Sequence, residues 1–293
     1  MNYNQKSDFY PRMTAGKGIL FFFSVFVLMF ILLSFVSALL LMKMKNTEAM
    51  MRISAVLQDV FVFILPALVT AIMMTRLPAR FLMIERLPRF WPLIIGIATL
   101  YCAMPWLECV IQWNNSITFP PQLKGLELAL REMENSAQEM INEMLRGSTV
   151  GSLIVSVCII GVLAGLSEEL FFRGAMLRLF SMTRINYHVA IWAVALVFSM
   201  LHFQFFGFVP RLLLGGFFGY LAWWSKCLWI PIVVHVLNNS TVVVIEWLTP
   251  SNDTSATSSE LGAFNPNWAL IIASVFLTIG GLYLFWKNTR YEN

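Results

Sequence analysis

Glu168 and Glu169 stand side by side in Gly161-Val-Leu-Ala-Gly-Leu-Ser-Glu168-Glu169-Leu-Phe-Phe-Arg173-Gly174, a stretch otherwise apolar enough to lie in lipid. A carboxylate near mid-membrane costs roughly 2.5–3.5 kcal/mol on the insertion scale, so an ionisable cluster there is read first as a functional site. Glu169 and Arg173 are four residues apart with the glutamate N-terminal, the better orientation for an ion pair on a helix. Glu168 is rotated from its neighbour by about 100°. The simplest division makes Glu169 and Arg173 a compensated, supporting pair and leaves Glu168 facing the bundle interior. A carboxylate in such a cavity suits general-base and then general-acid work on a water. The bland reading is that both acids only fix helix packing as ion-pair partners.

The chain has three histidines. His188 falls at the mouth of an apolar segment and reads as an interfacial residue. His202 closes Phe198-Ser-Met-Leu-His202, and His235 opens His235-Val-Leu-Asn238-Asn239. His235 and Asn239 share one helix face. Two donors aimed at one point are what a tetrahedral acyl intermediate needs, because negative charge develops on its oxygen. Asn238 also reaches that face, so spacing alone leaves the choice between the asparagines open. His202 could hold the same water as Glu168. Glu168, His202 and His235 together supply one carboxylate and two imidazoles, a legitimate set for a divalent metal such as zinc. No HExxH occurs, and the three come from separate segments. A metal-free, glutamate-activated water is the preferred reading.

These side chains must be positioned by membrane helices. The 293 residues are 58% hydrophobic and only 12% charged, against roughly 25% charged in soluble domains. A span needs about 20 mostly apolar residues. About eight stretches qualify: 18–42, 53–75, 90–113, 149–170, 188–206, 209–225, 228–248 and 267–287. The expected fold is an all-α polytopic integral membrane bundle, one domain over 1–293, with residues 149–248 as its catalytic core. Lys6, Arg12, Lys17, the Arg76–Arg89 loop, Arg173, Arg178, Arg184, Lys226, Lys287 and Arg290 fall on one side of eight spans. The Ser- and Thr-rich 249–266 loop on the other side has no Lys or Arg. This bias places both termini in the cytoplasm, and the short turn with Lys43, Lys45 and Arg52 argues weakly the other way.

Residues 121–146 repeat apolar positions at three- and four-residue spacing with glutamates between them, an amphipathic helix on the outer face or capping the bundle. The four cysteines lie in apolar segments without metal or disulfide spacing. The net charge of +4 comes with no nucleic-acid motif, and no internal repeat of the transporter kind is visible. Depth poses a problem. If one span starts at 188 and another ends at 170, His202 and Glu168 sit at different levels. Either the fifth span starts later and tilts, or residues 174–187 form a re-entrant piece that sinks into the bundle, and the second is the preferred reading.

Glu168-Glu169-x-x-x-Arg173, then Phe198-x-x-x-His202, then His235-x-x-x-Asn239, in that order, resembles the CPBP family: type II CAAX prenyl endopeptidases with bacterial abortive-infection and bacteriocin self-immunity homologues. The resemblance covers residues 149–248. It implies a bundle of about eight spans with a cytosol-facing cavity, Glu168 activating water, His202 assisting, His235 and Asn239 forming the oxyanion site, and Glu169 and Arg173 in support. Family members carry both metalloprotease and metal-free labels. The expectation is therefore an intramembrane endopeptidase of the plasma (inner) membrane. Its partners would be a peptide or protein substrate and the lipid bilayer, with no nucleic acid. The alternatives are a non-catalytic immunity or scaffold protein and a proton-coupled transporter.

Overall fold

A backbone in hydrocarbon has no water to bond, so long apolar segments close their hydrogen bonds within helices. The computed structural model describes residues 12–43, 47–145, 149–249 and 267–290. Every regular element among them is helical. In chain order these are α1 (Ala15–Lys43), α2 (Thr47–Met74), α3 (Phe90–Asn115), α4 (Lys124–Leu145), α5 (Val150–Ser181), α6 (Tyr187–Met200), α7 (Phe208–Ser225), α8 (Trp229–Leu248) and α9 (Trp268–Arg290). Seven of the described helices are long and apolar enough to cross a membrane, and α6 is a shorter apolar helix. The chain is thus a multi-pass membrane bundle. Lys6, Lys45 and nearly all of the Ser- and Thr-rich loop, 250–266, lie outside the described residues.

Helices pair α1 on α2, α3 on α9, α5 on α8 and α6 on α7. Phe171 and Phe172 of α5 anchor the larger core, where Phe171 meets Phe22 of α1 and Phe63 of α2 at ring separations of 4.6 and 5.2 Å. Leu100, Phe218, Ile230, Val234 and Phe285 form a second core. Small residues let the functional helices approach closely, as membrane packing requires. A Cβ at Gly161 would strike Ser240 of α8, and one at Gly165 would lie 3.0–3.2 Å from Val236, backbone included. Gly215 and Gly219 of α7 do the same against Ala195 and Ile191 of α6.

Two expectations are corrected. The fifth span does not run 188–206: α6 stops at Met200, and His202 lies in the turn beyond it. No re-entrant piece covers 174–187, because α5 continues unbroken to Ser181 and buries 174–177 in the core. Both corrections remove the depth conflict. Glu168 is about 20 Å along α5 from Ser181, and α6 climbs about 21 Å back from the same turn before His202. Leu228 packs against Gly174. From that level, Glu168 is about 9 Å up α5 and His235 about 10 Å up α8. The start of α8 is held this deep by the 75–89 loop, where Leu228 N–H donates to Met83 O at 2.9 Å and Trp229 Nε1 to Ile84 O at 3.1 Å.

The amphipathic helix is present as α4. It crosses the bundle end formed by the starts of α2, α5 and α7. Arg52 of α2 donates to Met144 O at 2.7 Å, and Phe206 N–H donates to Glu134 Oε2 at 3.1 Å. Its stripe is only partly covered: Leu126, Met133 and Met140 remain 50%, 44% and 51% exposed.

Candidate active site

The acidic pair sits where α5 departs from regular geometry. The α-turn Ala164–Glu169 lies between two π-helical segments, Val157–Leu163 and Leu170–Met176. A third, Gln58–Ile64, interrupts α2 alongside. Such widened turns are rare and concentrate at functional sites.

Glu169 and Arg173 form a fully buried pair, with Nη1 to Oε1 at 2.6 Å. The second Arg173 nitrogen donates to Gly215 O of α7 at 2.9 Å. Its guanidinium lies 4.8 Å from the Phe198 ring centre and 5.4 Å from that of Phe218, so aromatic faces supply part of the compensation. Glu169 Oε1 also contacts His235 Nδ1 at 2.9 Å. Phe218 stacks on the His235 ring at 4.5 Å and 20°. The imidazole is thereby fixed from two sides, and its Nε2 lies 3.7 Å from Glu168 Oε2. That gap is wide for a direct hydrogen bond and fits two groups that share one water-sized ligand. Glu168 keeps 15% exposure while Glu169 has none.

His202 Nδ1 meets Phe198 O at 2.8 Å, and its ring lies 4.9 Å from that of Phe198. It interacts electrostatically with Glu168 and His235. Phe203 next to it has a φ of 54°, an uncommon left-handed conformation costing of order 1–3 kcal/mol in a bulky residue and frequent at active sites. Asn239 is one turn beyond His235. Its Nδ2 reaches Ile160 O at 3.4 Å, and its Oδ1 accepts from Asn238 Nδ2 at 3.1 Å. The two asparagines are therefore linked, and Asn239 is the one that touches α5. His188 stands apart, bonded to Tyr220 Oη at 2.8 Å.

His235 and His202 each have Nδ1 engaged by protein oxygen, an arrangement that leaves Nε2 available as a ligand. Among the described residues no group of three or more His, Cys, Asp or Glu side chains is arranged to hold a metal ion. Glu168, His202 and His235 surround one region without forming a ready zinc site.

Two charged residues went unread in the sequence. Asp59 of α2 is buried, receives Ser167 Oγ at 2.8 Å and acts electrostatically on Glu168. Arg211 of α7 interacts with Glu168, His202 and Glu134. Both were detectable as lone charges inside apolar segments.

Comparison with known proteins gives one family. Residues 150–241 match the family described as Type II CAAX prenyl endopeptidase Rce1-like. The matched stretch holds α5 to α7, the first part of α8 and every motif residue from Glu168 to Asn239, and leaves out α1 to α4 and α9. No match was found among curated proteins or among solved structures. The matched stretch is the one that carries the three ordered motifs.

Proposed function

We propose, from a central segment carrying the pattern of type II CAAX prenyl endopeptidases, that the chain is an intramembrane endopeptidase acting on a peptide or protein at the membrane. Glu168 takes a proton from a water, and the hydroxide oxygen bonds to the scissile carbonyl carbon. The carbonyl oxygen becomes an oxyanion that accepts hydrogen bonds from His235 and Asn239. The carbon–nitrogen bond then breaks, and Glu168 returns the proton to the leaving amine. His235 hydrogen-bonds Glu169 through Nδ1, so it donates to the oxyanion through Nε2 when both ring nitrogens carry a proton. His202 holds the water from the far side. The buried surroundings keep bulk water out, which strengthens each of these interactions.

The observation that carries this reading is the 3.7 Å gap between Glu168 Oε2 and an imidazole locked on its other edge by Glu169. A scaffold role predicts a fully satisfied polar network. Here Glu169 Oε2 and Arg173 Nε are buried without a partner, a cost that packing alone does not explain. The test compares free N- and C-termini in cells carrying the wild-type or Glu168→Gln chain, followed by cleavage of the identified peptide by purified protein. Loss of a general base predicts a rate lower by about 10²–10⁴-fold. Retention of cleavage within a few fold, or no new terminus with wild type, sinks the reading. The proposed location is the plasma (inner) membrane with both termini cytoplasmic, on the strength of the Lys and Arg bias.

A further inference from the structure

We infer that the ends of α7 and α9 form a binding site for one anionic phospholipid, with its phosphate at Lys287 and Arg290 and its upper acyl chains in the groove beside Trp224. This site is separate from the peptide chemistry proposed above. The groove holds about 220 Å³ and is lined by Trp224 of α7 and by Leu282, Tyr283 and Trp286 of α9. Phe285, on the inner side of α9, is fully buried and lies 3.6 Å from the Cβ position of Gly96 near the start of α3. That contact sets the level of the groove at the end of the bundle that carries the 75–89 loop. Positions 276, 279, 283, 286, 287 and 290 share one face of α9. The chemistry along that face changes in one direction. Phe276 and Ile279 are 70% and 59% exposed, the groove aromatics Tyr283 and Trp286 follow, and the two cations come last. Arg290 is about 6 Å beyond Trp286 along the axis, and Phe276 about 10 Å before Tyr283. The headgroup layer on each side of the hydrocarbon is about 5–7 Å thick, and Trp and Tyr favour the boundary beneath it. With Trp286 at that boundary, Arg290 reaches phosphate depth and Phe276 lies among acyl chains.

Charge complementarity selects the occupant. The Arg290 guanidinium lies 4.8 Å from the centre of the Trp286 ring, so it is held against a wall of the groove. Among the described residues neither Arg290 nor Lys287 has a carboxylate partner. Cations in a last turn favour the helix dipole whichever way they point. The contact with Trp286 is what places this one beside a concave apolar wall. An anionic lipid brings the missing counter-charge and, on the same molecule, the chains that cover the wall, as basic pockets between membrane helices do for headgroups. A soluble anion would leave the groove bare. A second copy of the chain docked here about a two-fold axis would set the same cations against each other.

The test titrates the full-length protein in detergent with dioleoyl phosphatidylglycerol or dioleoyl phosphatidylcholine and counts bound lipid by native mass spectrometry. The two lipids have the same chains and differ in headgroup charge. The first phosphatidylglycerol is expected to bind at least about fivefold tighter than the first phosphatidylcholine, the gain of one basic residue at an anionic surface. Lys287→Gln combined with Arg290→Gln should bring the two lipids within about twofold of each other. Arg76→Gln combined with Arg80→Gln removes the same charge from the same end and should leave the preference intact. Tyr283→Ala, at an exposed position, should weaken both lipids alike. Glycerol 3-phosphate at millimolar concentration should not displace phosphatidylglycerol. Equal binding of the two lipids by wild type overturns the site, as does a preference that survives loss of both α9 cations or disappears in the loop variant. Displacement by glycerol 3-phosphate, or a lipid-free dimer that Tyr283→Ala breaks, overturns it too.

Discussion

Arg173 has no exposed side-chain surface and meets four partners at once: the Glu169 carboxylate, the Gly215 carbonyl and two aromatic faces. Burying such a pair costs several kcal/mol per ion, and removing one partner strands the other. Arg173→Met should therefore lower stability by about 3–5 kcal/mol. Glu169→Gln combined with Arg173→Met should recover much of that loss. Denaturation of both variants in detergent checks this, and a single mutant as stable as wild type would refute it. Function separates the two effects. The double variant, though folded, loses the carboxylate that orients His235, so its cleavage rate should remain low.

Between α5 and α8 the controlling feature is absence of side chain. Gly161 and Gly165 let Ser240 and Val236 come into backbone contact, and this crossing sets how far His235 stands from Glu168. A leucine at 165 would meet the Val236 backbone, which cannot yield as a flexible side chain could. Gly165→Leu should cost about 1–3 kcal/mol in stability. It should also cut activity by about 10²-fold, the penalty of a 1 Å misplacement. Gly125→Leu, at a site with open space, should do neither. A Gly165→Leu enzyme of normal rate would mean that this crossing does not set the geometry.

The α4 helix is anchored differently. Phe119 N–H, Lys124 and Arg131 all donate to Glu127, each at 3.1 Å, and hold its carboxyl down to about 2 from an ordinary 4.5. Between those values the released form binds more protons than the anchored one, so stability rises with pH across that window. The anchor is complete above about pH 4.5 and is lost as pH falls toward 2. Amides of 119–131 should exchange faster at pH 3 than at pH 6, after correction for intrinsic rates. In Glu127→Gln that pH dependence should vanish.

Across the whole bundle, a basic cluster marks one end and the acid-rich α4 the other. Arg80 and Arg178 lie near each other, and Lys226 lies 3.4 Å over Trp223 beside them at the end that carries the 75–89 loop. The polar groups leading away from Glu168, namely His202, Arg211 and Glu134, run toward α4 at the other end. The proposed placement of the basic end in the cytoplasm would turn α4 and the Arg211 side of the site outward. This departs from the cytosol-facing cavity that the resemblance implies. In a chain otherwise free of cysteine, Gln138→Cys on α4 should react with an impermeant maleimide in intact cells, and Glu85→Cys only after permeabilisation. The reverse pattern would invert the topology and turn the cavity to the cytosol.

Apolar runs, three ordered motifs and the lone intramembrane charges were all legible in the amino-acid order, because lipid penalises a bare charge wherever the chain puts it. The helical class, the multi-pass architecture, α4 and the Glu169–Arg173 pairing follow from that local chemistry. Meeting points were not legible. The run of α5 to Ser181, the early stop of α6 at Met200 and the deep start of α8 are set by contacts between segments far apart in sequence, such as Leu228 with Gly174 and Met83. The π-helical turns beside the glutamates leave no mark on hydrophobic periodicity. Asp59 and Arg211 acquire meaning only once α2 and α7 are brought beside Glu168. Local chemistry fixed which groups needed partners, and the packing of the helices decided which partners they found.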